Sequence, residues 1–124
     1  MRNYRDLVAW QVGFQLARRI YELTDSFPKT EEFGLKAQIR RSVVSIPSNL
    51  AEGAGRSTRK DFAHFVTLAR GSLNELETQL LLAKELGYCG FESDVQQQVE
   101  RLFGLLNGLR NSLNAERSTL NPNG

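Results

Sequence analysis

The chain has very few of the residues from which disulfide scaffolds, metal centres and nucleophilic sites are built. Its 124 residues include one cysteine, Cys89, and one histidine, His64. A lone cysteine excludes an intramolecular disulfide and disfavours a secreted scaffold held by such bridges. There is no Glu-x-x-His spacing of the kind that holds paired metals in helical bundles. Nucleophilic catalysis also needs a base within reach of the nucleophile. We therefore expect no enzyme, no metal and no cofactor.

Long apolar runs and strand patterns are also missing. No apolar stretch approaches the roughly 20 residues of a membrane helix. The first residues lack the apolar core of a signal peptide. We therefore expect a cytoplasmic protein with no membrane partner. No segment alternates with period two, so no strand is predicted.

The net charge is small but unevenly distributed. Sixteen basic and fourteen acidic residues give +2. Residues 1–60 hold 11 basic and 6 acidic side chains, a balance of +5, and residues 61–124 hold 5 and 8, a balance of −3. This asymmetry fits either a face that attracts polyanions or two halves of one fold that attract each other.

Apolar residues recur at steps of three and four in four segments, which predicts four helices at about 6–26, 30–53, 58–87 and 93–115. Short connections force consecutive helices to run antiparallel. The predicted fold class is all-α, an antiparallel up-down-up-down four-helix bundle with left-handed supercoiling. We expect one domain over residues 1–116 and a flexible C-terminal tail over residues 117–124.

Each helix has a stripe predicted to face the core. In helices two to four the stripes comprise Leu35, Ile39, Val43, Ile46 and Leu50; Phe62, Val66, Ala69, Leu73, Leu76, Leu80 and Ala83; and Val95, Val99, Leu102, Leu106, Leu109 and Leu113. In helix one the stripe is assigned to Leu7, Trp10, Phe14, Ala17 and Tyr21. Other apolar residues then remain as surplus surface, which favours subunit association. They are Val8, Leu16, Ile20, Leu23, Leu81 and Leu82.

Residues 38–53 combine a core stripe with unusually many polar groups. Pro47 lies inside the segment and predicts a kink in the helix without a break. Arg40, Arg41, Asn49 and Glu52 flank this stripe, while Glu75 and Glu77 flank the stripe of helix three. An ion pair between either arginine and either glutamate of helix three would fix helix register with little net stability. The alternatives are a subunit interface and a ligand site.

A weaker pattern favours anion or nucleic-acid binding. The start of helix three follows a glycine-rich turn, and free amides at a helix start suit a phosphate group. The candidate basic residues are Arg18, Arg19, Lys36, Arg56, Arg59 and Lys60. An ordinary solvated charged surface is the alternative.

Six segments together resemble one family of proteins. They are residues 7–11 (LVAWQ), 27–28 (FP), 34–35 (GL), 38–42 (QIRRS), 45–53 (SIPSNLAEG) and 69–80 (ARGSLNELETQL). In order and spacing they resemble the four-helix-bundle proteins of the 23S rRNA intervening-sequence type, over nearly all of residues 4–115.

The resemblance implies a four-helix bundle that assembles into a ring-like homo-oligomer, with a pentamer favoured. A related group includes the accessory bundle protein of diversity-generating retroelements, which is basic and works with nucleic acid. The net charge of this chain is only +2, which departs from those relatives. We therefore expect a non-enzymatic scaffold or interaction module with a protein partner, and nucleic-acid association is the alternative.

Overall fold

The computed structural model describes the backbone of residues 3–120 and the side chains of residues 3–115. Four helices follow one another: α1 Val8–Thr24, α2 Leu35–Ala54, α3 Arg59–Glu85 and α4 Ser93–Leu120. Short 3₁₀ turns, Tyr4–Asp6 and Lys29–Glu31, precede α1 and α2. The predicted all-α four-helix bundle is confirmed, and the described residues contain no strand.

The helices form a square in which α1 and α3 each pack against α2 and α4. Contacts along α1 and α2 run in opposite directions, because Gly13 lies against Ile46 and Pro47 while Tyr21 meets Arg40. α2 continues through Pro47 to Ala54 without a break. The left-handed supercoil and the kink at Pro47 stay predictions.

The beginning of α2 lies later than predicted. Residues 29–31 form a separate 3₁₀ turn, and the helix starts at Leu35 instead of residue 30. Gly34 interrupts the helical path with φ −106° and ψ −117°. The Glu31 carboxylate nevertheless reaches the helix start, where its Oε1 accepts a hydrogen bond from the Leu35 amide at 3.0 Å. A free amide of the first turn is thereby satisfied from outside the helix.

Both ends of α3 follow the sequence signals. Thr58 Oγ1 accepts from the Asp61 amide at 3.1 Å, as expected of a capping residue. At the other end Gly87 takes φ +78°, a conformation that glycine adopts without steric cost. The Tyr88 amide then donates to the carbonyl of Ala83 and the Gly87 amide to that of Lys84, the double closure of a Schellman motif.

The last helix extends beyond its predicted end. The backbone of α4 continues to Leu120, whereas the helix was predicted to end near residue 115. The predicted tail therefore begins inside the helix, and residues 121–124 lie outside the described residues.

The core stripes of α2, α3 and α4 are as predicted, with Phe62 and Leu109 partly buried at their margins. The stripe assigned to α1 is wrong in part: Leu7 is buried and Trp10 and Ala17 pack against the core, but Phe14 and Tyr21 do not. Leu16 and Ile20 are 0% exposed, whereas Phe14 is 51% and Tyr21 43% exposed. The helix buries its aliphatic stripe, Ala9, Val12, Leu16 and Ile20, and turns the aromatic one outward.

The physical reason is that α1 has two apolar stripes and only one of them fits the interior. Leucine and isoleucine carry no polar atoms and fill a core in well-defined rotamers. Tryptophan and tyrosine have polar tips that need a partner once buried. Phe14 and Tyr21 therefore belong to the exposed apolar surface, whereas Leu16 and Ile20, which were expected there, form the core. Val8, Leu81 and Leu82 are exposed, as predicted.

Candidate interaction surfaces

The polar side chains of residues 38–53 do not converge on one site, since they lie on different sides of α2. Arg40 points toward α1, where Nε donates to Thr24 Oγ1 at 2.9 Å and Nη2 donates to the Tyr21 carbonyl at 3.0 Å. Its guanidinium also lies 4.3 Å from the centre of the Tyr21 ring. Asp25 Oδ1 is 4.0 Å away. Arg40 thus connects the end of α1 to α2.

This network replaces the ion pair predicted between Arg40 and a glutamate of α3. Thr24 is fully buried, and its hydroxyl donates to the Ile20 carbonyl at 2.8 Å while it accepts from Arg40. Threonine hydroxyls in helices commonly donate to the carbonyl four residues back. The arginine therefore completes the hydrogen bonding of a buried group and fixes the position of α1 along α2.

Asn49 and Glu52 both bond within α2 or its C-terminal turn. Asn49 Nδ2 donates to the Ser45 carbonyl at 2.8 Å. Glu52 Oε1 pairs with Arg56 Nη2 at 2.8 Å, and the Arg56 guanidinium lies 4.8 Å from the centre of the Phe65 ring. Neither residue therefore reaches α3 with its carboxylate or amide.

Arg41 and Glu75 lie on opposite walls of an open cleft between α2 and α3. The cleft has a volume of about 300 Å³ and is lined by Gln38, Arg41, Ser42, Ser45, Glu75 and Gln79. Within the described part of the chain no ion pair joins Arg41 to Glu75 or Glu77. Glu77 does not line the cleft. Gln79 Oε1 is shielded from solvent and has no hydrogen-bond partner among the described residues.

The candidate basic residues are dispersed over the bundle. Lys36 lies at the start of α2 and Arg56 beyond its end, which places them about 30 Å apart at 1.5 Å per residue. Most are already engaged with acids: Arg18 with Glu22 at 3.7 Å, Arg19 with Asp94 at 2.8 Å, Lys36 with Glu32 at 3.0 Å and Arg56 with Glu52. Arg59 and Lys60 begin α3 beside its capping Thr58. The structure therefore does not bring the six residues together.

Two polar links join parts of the chain that are far apart in sequence: Arg19 of α1 with Asp94 of α4, and Glu31 before α2 with Tyr88 after α3. The hydrogen bond from Arg19 raises the pKa of this arginine and lowers the pKa of Asp94 on α4. Hydrogen bonds from the Leu35 amide and the Tyr88 hydroxyl lower the pKa of Glu31. Both links hold carboxylates in their charged form.

An apolar groove lies between α1 and α2, and we call it the aromatic groove. It has a volume of about 280 Å³ and is lined by Tyr4, Trp10, Phe14, Ala17, Val44, Pro47, Ser48 and Ala51. Tyr4 meets Trp10 edge-on at 5.4 Å, and Trp10 stacks on Phe14 at 5.0 Å between ring centres. The sequence contained a signal for this groove, the second apolar stripe of α1, but that stripe was assigned to the core.

A second surface feature was missed altogether. Phe33, in the connection before α2, is 96% exposed. Single exposed apolar residues are common on protein surfaces. A phenylalanine that leaves almost its whole side chain in water is unusual, because burial of such a ring contributes about 1.5–3 kcal/mol.

The described residues give no support for a metal site, a membrane-spanning helix or an activated thiol. They contain no group of three or more metal-binding side chains and no helix long and apolar enough to cross a membrane. His64 is exposed, and burial raises the pKa of the Cys89 thiol. A raised pKa leaves less of the nucleophilic thiolate at neutral pH.

Comparison with known proteins identifies the family. A solved structure of similar fold is a protein of unknown function from the S23 ribosomal protein family of Bacteroides thetaiotaomicron VPI-5482. It is 25% identical, covers 85% of this chain and 94% of its own, and superposes with a TM-score of 0.59. A comparison with curated proteins finds no match. The sequence profile of the 23S rRNA-intervening sequence proteins matches residues 5–114, so this chain belongs to that family.

Proposed function

We propose that this protein is a non-enzymatic interaction module that works in the cytoplasm as a homo-oligomer. The pentamer implied by the family resemblance is the state we favour. The observation that carries the proposal is the aromatic groove on the outside of α1 and α2. A helical bundle that needed only to fold would bury this stripe or replace it with polar residues.

The composition of the groove supports a protein partner over a small polar ligand. Tryptophan, tyrosine and phenylalanine are enriched at the centres of protein interfaces. Trp10 and Phe14 stack on one another, which holds both rings in one orientation before a partner arrives. Contact residues that are ordered in advance lose less conformational entropy on binding.

The polar cleft beside the groove supports the same proposal. Arg41 and Glu75 lie without an ion-pair partner in the described part of the chain, one on each wall. Opposite charges in such positions suit the polar margin of an interface, where they add specificity and orientation more than affinity. The interface role considered for these residues therefore remains part of the proposal.

Nucleic-acid association is the second candidate, and it has less support. It rests on the sequence neighbours Arg56, Arg59 and Lys60 near the start of α3. Binding through phosphates would make the affinity fall linearly on a log–log plot against salt. Fluorescence anisotropy with labelled RNA and DNA tests this candidate, and absence of binding at low salt eliminates it.

Sedimentation velocity at micromolar concentration tests self-association. We expect a mass several times 14.0 kDa, with a pentamer at about 70 kDa. Phe14→Ser removes an aromatic wall of the groove and should lower the mass. Leu68→Ser, at a 42% exposed position on α3, is the matched control and should leave it unchanged. A clean 14.0 kDa species for the unaltered protein would refute the proposal.

A further inference from the structure

Phe33 lies in the connection between α1 and α2, and hydrogen bonds fix the backbone before and after it. The Gly34 amide donates to the Glu31 carbonyl at 3.0 Å, and the Glu32 amide donates to that of Lys29 at 3.1 Å. The Glu31 carboxylate fixes the turn further by accepting from the Leu35 amide at 3.0 Å and from the Tyr88 hydroxyl at 2.9 Å. The exposed ring is therefore carried by an anchored turn.

The aromatic groove is an apolar surface that suits such a ring. Its lining is almost entirely apolar, and Ser48 supplies the single aliphatic hydroxyl. Aromatic rings pair favourably in offset-stacked or edge-on geometry with centres 4.5–7 Å apart. Trp10 and Phe14 present two rings to an incoming one.

Phe33 is too far along the bundle to enter the groove of its own chain. It precedes α2 by two positions, and the first groove residue on that helix, Val44, lies nine positions beyond Leu35. At 1.5 Å per residue this is a separation of about 14 Å along the axis. The ring and the groove can therefore meet only between two copies.

The charges of the two ends of the bundle favour the same arrangement. The half that contains most of the groove comprises residues 3–15, 46–72 and 107–115, with six basic and three acidic side chains, a balance of +3. The half that contains Phe33 comprises residues 16–45 and 73–106, with eight basic and ten acidic side chains, a balance of −2. Contact between unlike ends brings opposite charges together and contact between like ends does not.

We propose that Phe33 of one copy inserts into the aromatic groove of the next copy, a head-to-tail contact that rests on the self-association proposed above. Such a contact uses two different surfaces of each subunit. It leaves one Phe33 and one groove free in a dimer, so association continues until a ring closes. The proposal thereby gives a partner to two of the exposed apolar features of the described residues, Phe33 and the groove.

Two variants and their mixture test the proposal. Phe33→Ser removes the ring but keeps the groove, and Ser48→Glu places a charge in the groove but keeps the ring. Each variant alone should sediment at 14.0 kDa, the mass of one chain. An equimolar mixture at high micromolar concentration should form a complex of about 28 kDa, because each partner supplies what the other lacks. Leu68→Ser is the control and should remain assembled.

The sole tryptophan provides a second measurement, because Trp10 lines the groove. In Phe33→Ser the emission of Trp10 should shift to the red, and acrylamide should quench it more strongly. Addition of an equal amount of Ser48→Glu protein should reverse both changes for the Trp10 of Phe33→Ser, whereas the Trp10 of Ser48→Glu stays in an empty groove. Circular dichroism and urea unfolding establish that each variant is folded, as expected for replacements at two exposed positions.

The outcomes separate the two proposals. If the unaltered protein is a monomer, both fail. If it assembles but Phe33→Ser or Ser48→Glu assembles equally well, the head-to-tail contact is overturned and self-association stands. A mixture that stays at 14.0 kDa also overturns it, as would equal dissociation of Leu68→Ser.

Discussion

Replacement of Arg40 should destabilise the bundle far more than replacement of its neighbour Arg41. Arg40→Met removes the donor to the fully buried Thr24 hydroxyl and the cation above the Tyr21 ring, while it keeps most of the aliphatic stem. A hydrogen bond involving a charged group contributes about 1.5–3 kcal/mol. The cation–π contact adds about 0.5–1 kcal/mol. The carbonyl of Tyr21 is near solvent, so water offsets much of that loss.

We therefore expect Arg40→Met to lower the free energy of unfolding by about 2.5 kcal/mol, or Tm by roughly 10 °C. The free energy of unfolding of Arg40→Lys should lie between those of the unaltered protein and Arg40→Met, because an ammonium cannot satisfy two acceptors with the fixed geometry of a guanidinium. Arg41→Met is the matched control, since this exposed side chain has no ion pair in the described residues. Its effect should stay within about 0.5 kcal/mol.

Urea unfolding at two protein concentrations gives the measurement, because dissociation of an oligomer would make the midpoint concentration-dependent. Glu77→Leu should add nothing specific to Arg40→Met, whereas an Arg40–Glu77 ion pair would make the double variant milder than the single one. Equal losses for the two arginines, or rescue by Glu77→Leu, would refute the role assigned to Arg40.

Three further predictions concern packing, pH and the thiol. Gly53→Ala should cost about 1–3 kcal/mol of unfolding free energy, since a Cβ there would lie 2.6 Å from Phe65 Cβ and 3.0 Å from Phe62 Cδ1. A Cβ added at Gly71 would meet no atom within 4 Å, so Gly71→Ala should instead raise the free energy of unfolding by about 0.5–1 kcal/mol. If urea unfolding shows both variants shifted in the same direction, this difference is contradicted. Because the pKa values of Asp94 and Glu31 are lowered in the fold, the stability they contribute is present above about pH 4 and is lost as pH falls toward their folded values. Asp94→Asn should flatten this acid limb of the stability curve, and an unchanged limb would exclude the Arg19 link as its source. Cys89 should react with a thiol reagent slower than an unfolded control at pH 7, because burial raises its pKa, and equal rates would contradict its burial.

The fold was predictable because α2, α3 and α4 each have one apolar stripe. Steps of three and four along α3 and α4 leave a single choice of core face. The capping Thr58 and the closing Gly87 gave the bounds of α3 to within two residues. α1 was ambiguous because aliphatic and aromatic stripes share the same period. Periodicity alone cannot choose between two such faces, whereas the polar tips of Trp10 and Tyr21 argue for the outside.

The positions of the polar groups were predictable only in part. The sequence does not fix the rotation of α2 about its axis, so it does not decide which neighbouring helix Arg40 faces. The acceptors that Arg40 has in the structure are a threonine hydroxyl and a backbone carbonyl, and neither leaves a charge pattern in the sequence. The exposure of Phe33 depends on a 3₁₀ turn and on the reach of the Glu31 side chain to Tyr88, a residue 57 positions away. Contacts of that kind follow from the tertiary arrangement and not from local pattern.

The charge asymmetry has a different meaning in the structure than along the chain. Because the helices are antiparallel, each end of the bundle contains residues from both halves of the chain. When the charges are counted by end, the described residues give a net charge of +3 at one end and −2 at the other. Two-fold contact of like ends would bring like charges together, and head-to-tail contact pairs unlike ones. The proposed assembly should therefore weaken as salt is raised, since exposed charges are screened over about 10 Å at 0.1 M and about 3 Å at 1 M. Sedimentation velocity between about 0.1 M and 1 M salt tests whether assembly weakens, because an apolar contact between like-charged ends would instead strengthen with salt.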